Sequence, residues 1–126
     1  MTAHPLSDAI REFAAALPEA WEDHPWGETA FKVGKKVFVF LGGLEDRGLV
    51  TVKLRDSHDE AMAFDWVQPT RYGLERGGWV TCAVPEDAPP DMITAWIAES
   101  YGLVAPKRLL RLETEAGDAP DSEATA

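Results

Sequence analysis

Apolar residues recur at helical spacing in two stretches of the chain. The first stretch contains Leu6, Ile10, Phe13 and Leu17, and the second contains Ile93, Trp96, Ile97, Tyr101 and Val104. Residues three or four apart lie on one side of an α-helix, so each set forms a stripe that can be buried. The pattern predicts two amphipathic helices, and we expect Pro18 to end the first of them.

Between these stretches the pattern changes to the alternation of apolar and polar residues that is typical of β-strands. The predicted strands are residues 20–24, two hairpin arms around Gly34-Lys35, residues 49–55 and residues 79–84. Glycine at the first of the two central turn positions is typical of a type II′ turn, and such a turn would join the two arms.

The remaining segments are predicted to be short or irregular. Ser57 and Glu60 match a capping box, which predicts a short helix that continues to about Trp66. Residues 42–48 are a glycine-rich loop, and residues 69–73 are an irregular crossing. A last short helix is expected between residues 106 and 112. The order of elements favours an α+β fold, an antiparallel β-sheet with helices packed on one side.

The composition indicates one globular domain of residues 1–112 followed by a tail. The chain has 126 residues with 45% hydrophobic content, enough for one core. Residues 113–126 carry five acidic side chains and no basic one, and we expect them to be disordered. The single cysteine, Cys82, excludes an internal disulfide. With neither a secretory signal nor an apolar run of about 18 residues, we expect a cytoplasmic protein without a membrane partner.

The charge is uneven along the sequence. The net charge is −10, yet residues 29–55 hold six basic side chains and two acidic ones. Residues 1–28 hold six acidic side chains and one basic one. The chain is therefore polarised in charge.

Several spaced segments together resemble one protein family. They are Trp26-Gly-Glu, Phe31-Lys-Val-Gly34, Gln68-Pro-Thr-Arg-Tyr-Gly73, Gly78-Trp79-Val and Glu99-Ser-Tyr-Gly-Leu-Val104. From about residue 9 to residue 112 the chain resembles the MmcQ/YjbR family. The resemblance implies a fold similar to the frataxin-like (CyaY-like) two-layer sandwich. It also implies a candidate DNA-binding function through a double wing of β-hairpins, with the wing here at Gly34-Lys35.

Basic side chains and aromatic rings supply a candidate nucleic-acid site. Contacts between basic side chains and phosphates dominate the affinity of proteins for nucleic acids, and exposed bases stack on aromatic rings. The candidate phosphate contacts are Lys32, Lys35, Lys36, Lys53, Arg55, Arg71 and Arg76, and the candidate stacking residues are Tyr72 and Trp79. The net charge of −10 runs against this function, since nucleic-acid binders are usually basic. The alternative is that the hairpin lysines form a solvated edge that prevents aggregation.

A pocket lined by Trp66 and Trp79, next to the Tyr72 crossing, is the competing hypothesis. Five tryptophans are many for one small core, and tryptophan is enriched at interface anchors. In this interpretation the chain binds a small molecule or a protein and no nucleic acid. Its oligomeric state would be a monomer or a homodimer.

The sequence contains no catalytic motif, and we expect a non-enzymatic protein without a cofactor. Cys82 is predicted to be buried in a strand, His4 to lie in a mobile terminus and His58 to be exposed.

A metal site is a further alternative that the resemblance raises. Frataxins bind iron weakly through acidic residues on their first helix and strand. The residues in that region here are Asp8, Glu12, Glu19, Glu22 and Asp23. Carboxylates alone form unselective cation sites, so a solvated acidic face is favoured and no metal is predicted.

Overall fold

The computed structural model describes residues 4–24, 28–70 and 77–106. The elements in these ranges are α1 (Ser7–Ala16), β1 (Ala20–Asp23), β2 (Ala30–Val33), β3 (Lys36–Phe40), α2 (Leu44–Arg47), β4 (Leu49–Lys53), α3 (His58–Met62), β5 (Val67–Pro69), β6 (Trp79–Ala83) and α4 (Pro90–Val104). The predicted helix near residues 106–112 and the predicted tail of residues 113–126 lie outside the described residues, apart from Pro106. In the described part of the chain, no helix combines the length and the hydropathy needed to cross a lipid bilayer.

The strands form one antiparallel sheet in the order β1-β2-β3-β4-β6-β5. The turn between β2 and β3 consists of Gly34 and Lys35, and Gly34 has a φ of +62°. Glu19 is the one non-glycine residue with positive φ among those described, so Lys35 has a negative φ. Positive φ at the first central residue alone is the signature of a type II′ turn, which agrees with the sequence prediction.

The buried core lies between the sheet and the helices α1 and α4. On the side that faces the helices, Val50 of β4 pairs with Cys82 of β6, and Val52 pairs with Val80. All four are buried, as is Ile10 from the predicted stripe of α1. Burial of alternate strand residues against one helical layer confirms the α+β class with helices on one side.

The opposite face of the sheet, here called the distal face, carries the intervening residues. Phe40 pairs with Thr51, Thr51 pairs with Thr81, and Lys53 pairs with Trp79, which places these five residues on the same face. All five are half-buried, whereas their neighbours in the core are fully buried. In the described structure the distal face is therefore the side of the sheet that a ligand can reach.

A serine from α4 joins β3 to β4 where the two strands separate. The register of β2 against β3 skips Phe38, which makes Phe38 the extra residue of a β-bulge. The Ser100 hydroxyl donates to the Phe38 carbonyl oxygen at 2.5 Å and accepts the Lys53 backbone N–H at 2.9 Å. Ser100 is fully buried, so its hydroxyl satisfies two backbone groups that would otherwise lack partners.

Two short elements correct the sequence prediction. The segment predicted as a flexible loop contains the single helical turn α2, which Gly48 ends at a φ of +70°. β5 (Val67–Pro69), which forms the edge of the sheet, lies just before the segment predicted as an irregular crossing and overlaps it at Pro69. α2 has four residues and β5 has three, and such short elements carry too few residues for hydrophobic periodicity to reveal them.

The predicted capping box at Ser57 does not form. Ser57 is the N-cap residue of α3, but its side chain makes no capping hydrogen bond, and α3 ends at Met62. Glu99 of α4 takes the role assigned to Glu60. Its Oε2 accepts the backbone N–H of Ser57 at 3.1 Å and that of Arg55 at 2.7 Å. A tertiary contact therefore replaces the local one.

The prediction that His4 lies in a mobile terminus was wrong. His4 is buried, and its Nε2 lies 2.8 Å from the Val84 carbonyl oxygen. Its Nδ1 accepts the Leu6 backbone N–H at 3.1 Å, so Nε2 carries the proton and donates it to Val84. Both ring nitrogens have backbone partners, which anchors this residue to the end of β6.

Candidate functional site

A groove with a volume of about 450 Å³ opens at the β5 side of the distal face. Its described lining residues are Leu49, Asp65, Trp66, Gln68, Pro69, Thr70, Thr81 and Ala83. The sheet register brings together these distant parts of the chain, since Gln68 pairs with Thr81 and Leu49 pairs with Ala83. The volume lies in the range of small-molecule sites, which is roughly 300–1,000 Å³.

Trp66 lines this groove, and its ring is held against two other aromatic rings. Its ring centroid lies 4.8 Å from that of Phe64 and 5.9 Å from that of Trp96, which is buried in α4. Its carbonyl oxygen accepts the Ala83 backbone N–H at 2.8 Å. A side chain held by two other rings loses little conformational freedom when a ligand packs against it.

A row of threonine hydroxyl groups runs from β4 across β6 to Thr70, the residue after β5, and two of these threonines line the groove. The Thr81 Oγ1 lies 3.0 Å from the Thr70 Oγ1 and 3.1 Å from the Thr51 Oγ1. Thr70 and Thr81 line the groove, whereas Thr51 lies one strand further in. Each hydroxyl is one donor and two acceptors, so the row has spare hydrogen-bonding capacity for a ligand of either polarity.

The structure separates the tryptophans that the sequence placed in one pocket. Trp66 lines the groove, but Trp79 is not among its lining residues. Trp79 packs against Phe40 elsewhere on the distal face, with ring centroids 5.6 Å apart, and is paired with Lys53. Tyr72 lies outside the described residues.

Lys32 is already engaged within the sheet. Its Nζ lies 2.7 Å from Asp23 Oδ2 and 5.4 Å from the centroid of the Trp21 ring. The hydrogen bond from Lys32 is the main cause of the lowered pKa of Asp23, and a second bond from the His24 backbone N–H adds to it. The Trp21 indole N–H donates to the Gly34 carbonyl oxygen at 3.0 Å, which ties β1 to the hairpin turn.

The other described basic candidates lie at one end of the sheet. Lys35 and Lys36 are exposed at the start of β3, and Lys53 and Arg55 stand at the end of the antiparallel strand β4. Arg55 Nε lies 3.4 Å from Asp56 Oδ1, so its charge is partly neutralised. Arg71 and Arg76 lie outside the described residues. Lys35, Lys36, Lys53 and Arg55 are called the basic end below.

The candidate reactive side chains have structural roles. Cys82 is 1% exposed, and burial raises the pKa of its thiol to about 12, so it stays protonated and unreactive. The Tyr101 hydroxyl donates to the Pro18 carbonyl oxygen at 2.7 Å and so ties α4 to the end of α1. His58, predicted to be exposed, is half-buried, and its Nδ1 lies 3.6 Å from Asp59 Oδ1.

The acidic residues near the start of the chain do not converge. Asp8 and Glu12 are exposed on α1, Asp23 is paired with Lys32, and Glu22 lies 3.1 Å from the exposed His24. Across the described ranges, no group of three or more His, Cys, Asp or Glu side chains is arranged to hold a metal ion.

These features define a class of protein: a small α+β domain whose antiparallel sheet carries helices on one face and a groove on the other. A family model described as YjbR matches residues 15–103, and the chain belongs to the YjbR family. The crystal structure of Deinococcus radiodurans protein DR2400, family-model domain DUF419, is similar with a TM-score of 0.69 and 23% sequence identity. The similarity covers 95% of this chain and 93% of that chain, and it concerns the fold. A comparison with curated proteins finds no match.

Sequence reasoning found Trp66 but missed the rest of the groove. The missed lining residues are Leu49, Asp65, Gln68, Pro69, Thr70, Thr81 and Ala83. Most are small or polar residues at the outward positions of strands, which is the ordinary composition of a solvated sheet face. The available signal was the pair of threonines at outward positions of β4 and β6, which stand opposite each other once the register is known.

Proposed function

We propose that this protein is a non-enzymatic binding protein that holds a small molecule in the groove of the distal face. The observation that carries the proposal is that Trp66, whose ring is held by two other rings, lines the same groove as Thr70 and Thr81, whose hydroxyls bond to each other. An aromatic wall holds the apolar body of a ligand, and a few hydroxyl and amide groups fix its orientation. Gln68 supplies that amide group.

Binding without catalysis is favoured by the chemistry of the lining. Asp65 is the one ionisable side chain among the eight described lining residues, and it is exposed. General acid–base or nucleophilic catalysis usually requires a reactive group with a neighbouring partner that activates it. The hydroxyls of Thr70 and Thr81 instead bond to each other.

A groove-filling variant tests this proposal. Ala83 is exposed and lines the groove, so Ala83→Trp should fill the groove without disturbing the core. Ala95 is exposed on α4, and Ala95→Trp is the matched control. Small-molecule fragments screened by NMR should shift the amide signals of Gln68, Thr70 and Thr81. The shifts should be lost in the Ala83 variant and kept in the control. A library that shifts no groove residue would overturn the proposal.

Nucleic-acid binding at the basic end is a second candidate, and one arrangement favours it. Lys53 stands directly beside Trp79, and Lys35 and Lys36 lie at the same end of the sheet. A cationic side chain next to an aromatic ring is the usual composition of a surface that contacts phosphates and stacks a base. The net charge of −10 and the engagement of Lys32 by Asp23 weigh against this candidate.

Matched charge reversals test the second candidate. Arg47 is exposed and precedes β4, so it lies at the end of that strand opposite Lys53. Lys35→Glu and Arg47→Glu change the net charge equally. If the basic end binds DNA, titration with duplex and single-stranded DNA should show an affinity that falls with salt. Lys35→Glu should weaken this affinity more than Arg47→Glu does. Equal effects of the two reversals would show that only net charge matters.

A further inference from the structure

A tryptophan and an aspartate already hold an ammonium group elsewhere on this sheet. The Lys32 ammonium lies 2.7 Å from the Asp23 carboxylate and 5.4 Å from the centroid of the Trp21 ring. The carboxylate supplies a charge-assisted hydrogen bond, and the face of the indole attracts the cation through its quadrupole. The chain thus uses an aspartate carboxylate and a tryptophan ring to hold the ammonium group of one of its own lysines.

The same pair of residue types, an aspartate and a tryptophan, lines the groove. Asp65 and Trp66 are consecutive in sequence and line the groove together. Among the described ion pairs none involves Asp65, whereas Asp23 is engaged by Lys32. The described lining residues include no basic side chain. None of the described lining residues would therefore repel a positively charged ligand.

We infer that the ligand of the groove is a small organic cation whose alkylammonium group lies between the Trp66 ring and the Asp65 carboxylate. This inference rests on the proposed function. The overall charge of −10 raises the local concentration of cations near the surface, and the volume of about 450 Å³ accommodates a small alkylammonium compound. The Thr70 and Thr81 hydroxyls and the Gln68 amide are then available to a hydroxyl or carbonyl group on the same ligand.

A pair of isosteric probes tests the charge of the ligand directly. Choline carries a quaternary ammonium group, which has the positive charge but no N–H to donate, and 3,3-dimethylbutan-1-ol is its uncharged isostere with carbon in place of nitrogen. Both are titrated at constant ionic strength, and the amide signals of Trp66, Gln68 and Thr81 are followed by NMR. Choline should bind about tenfold more tightly than the alcohol, in line with a cation–aromatic contact and a solvent-screened ion pair acting together.

The variant Asp65→Asn and a matched control test whether the Asp65 carboxylate contributes to the binding of choline. Asp65→Asn should weaken choline binding about threefold to fivefold, because the site is open to solvent and its ion pair is screened. Asp87 is exposed before α4, and Asp87→Asn, which changes the net charge equally, should leave choline binding unchanged. Equal binding of the alcohol, or equal effects of the two variants, overturns the cation inference but leaves the groove as a binding site. If neither probe shifts a groove signal, the cation inference is overturned, and the fragment screen decides the groove separately.

Discussion

Single side chains of α4 hold distant backbone groups in this fold. Glu99 accepts two backbone N–H groups from the segment between β4 and α3, and Ser100 bridges Phe38 and Lys53. Each of these contacts joins residues more than forty positions apart in the sequence. Since a buried backbone group without a partner is destabilising, these two consecutive residues fix where the sheet and α4 meet.

Replacing Glu99 by Gln should flatten the dependence of stability on pH. Partial burial raises the pKa of Glu99, but hydrogen bonds from the Arg55 backbone N–H and from the hydroxyl and backbone N–H of Ser57 outweigh it. The pKa therefore lies below the usual value of 4.5. A lowered pKa in the folded state gives stability that is present above the unfolded-state pKa and is lost as the pH falls through the folded value. Urea denaturation at pH 7 and at successively lower pH should show a larger loss in the unaltered protein than in Glu99→Gln.

The control for this experiment is Glu60→Gln, at the residue that the sequence assigned to the capping box. Glu60 is exposed, and Ser57 makes no side-chain capping bond. Glu60→Gln should therefore keep the pH dependence of the unaltered protein. A flattened profile in Glu60→Gln with no change in Glu99→Gln would contradict the assignment.

Among the elements, the junction of β3 and β4 is the place where the sheet depends on a helix. Directly paired residues between these strands are Val39 with Val52 and Phe40 with Thr51. Beyond them the direct pairing of β3 with β4 stops, and the Ser100 hydroxyl of α4 bridges the Phe38 carbonyl oxygen of β3 and the Lys53 backbone N–H of β4. The helix therefore completes the hydrogen bonding of the sheet as well as covering its core face.

Ser100→Ala should destabilise the protein by about 1–3 kcal/mol, because it leaves the Phe38 carbonyl and the Lys53 N–H without their partner. The matched control is Thr94→Ala on the same helix. The Thr94 hydroxyl is bonded within the helix to the Asp91 carbonyl oxygen at an exposed position, so the expected change is within about 0.5 kcal/mol. Urea denaturation measures both. A Ser100→Ala variant as stable as the control would show that the strands close without the serine.

The elements that the sequence predicted are those with enough residues to show a period. Alternation in β4 and β6 and the stripe of α1 follow from burial on one side, which repeats along each element. β5 was missed because three residues with Pro69 at the end show no alternation. The groove was missed for a different reason. Its residues come from three separate parts of the chain, and the pairing of Gln68 with Thr81 that unites them is a property of the sheet register.

At the scale of the whole molecule, the distribution of charge separates the two candidate sites. The groove contains Asp65 and no basic residue among its described lining, and it lies on the β5 side of the sheet. The basic end lies where β3 begins and β4 ends. A chain with a net charge of −10 attracts cations and repels polyanions at long range. The net charge therefore favours a cationic ligand in the groove over DNA at the basic end, where only the local positive charge opposes this repulsion.

Removing residues 113–126 tests how far this overall charge controls the basic end. The deletion removes five acidic residues and changes the net charge from −10 to −5. If the basic end binds nucleic acid, the shortened chain should bind duplex DNA more tightly than the full chain at low salt. The difference should vanish near 1 M salt, where charges are screened beyond about 3 Å. A full-length chain with the five acids changed to amides should match the shortened one, because charge is the expected cause. A shortened chain without affinity for duplex DNA at low salt would eliminate the second candidate.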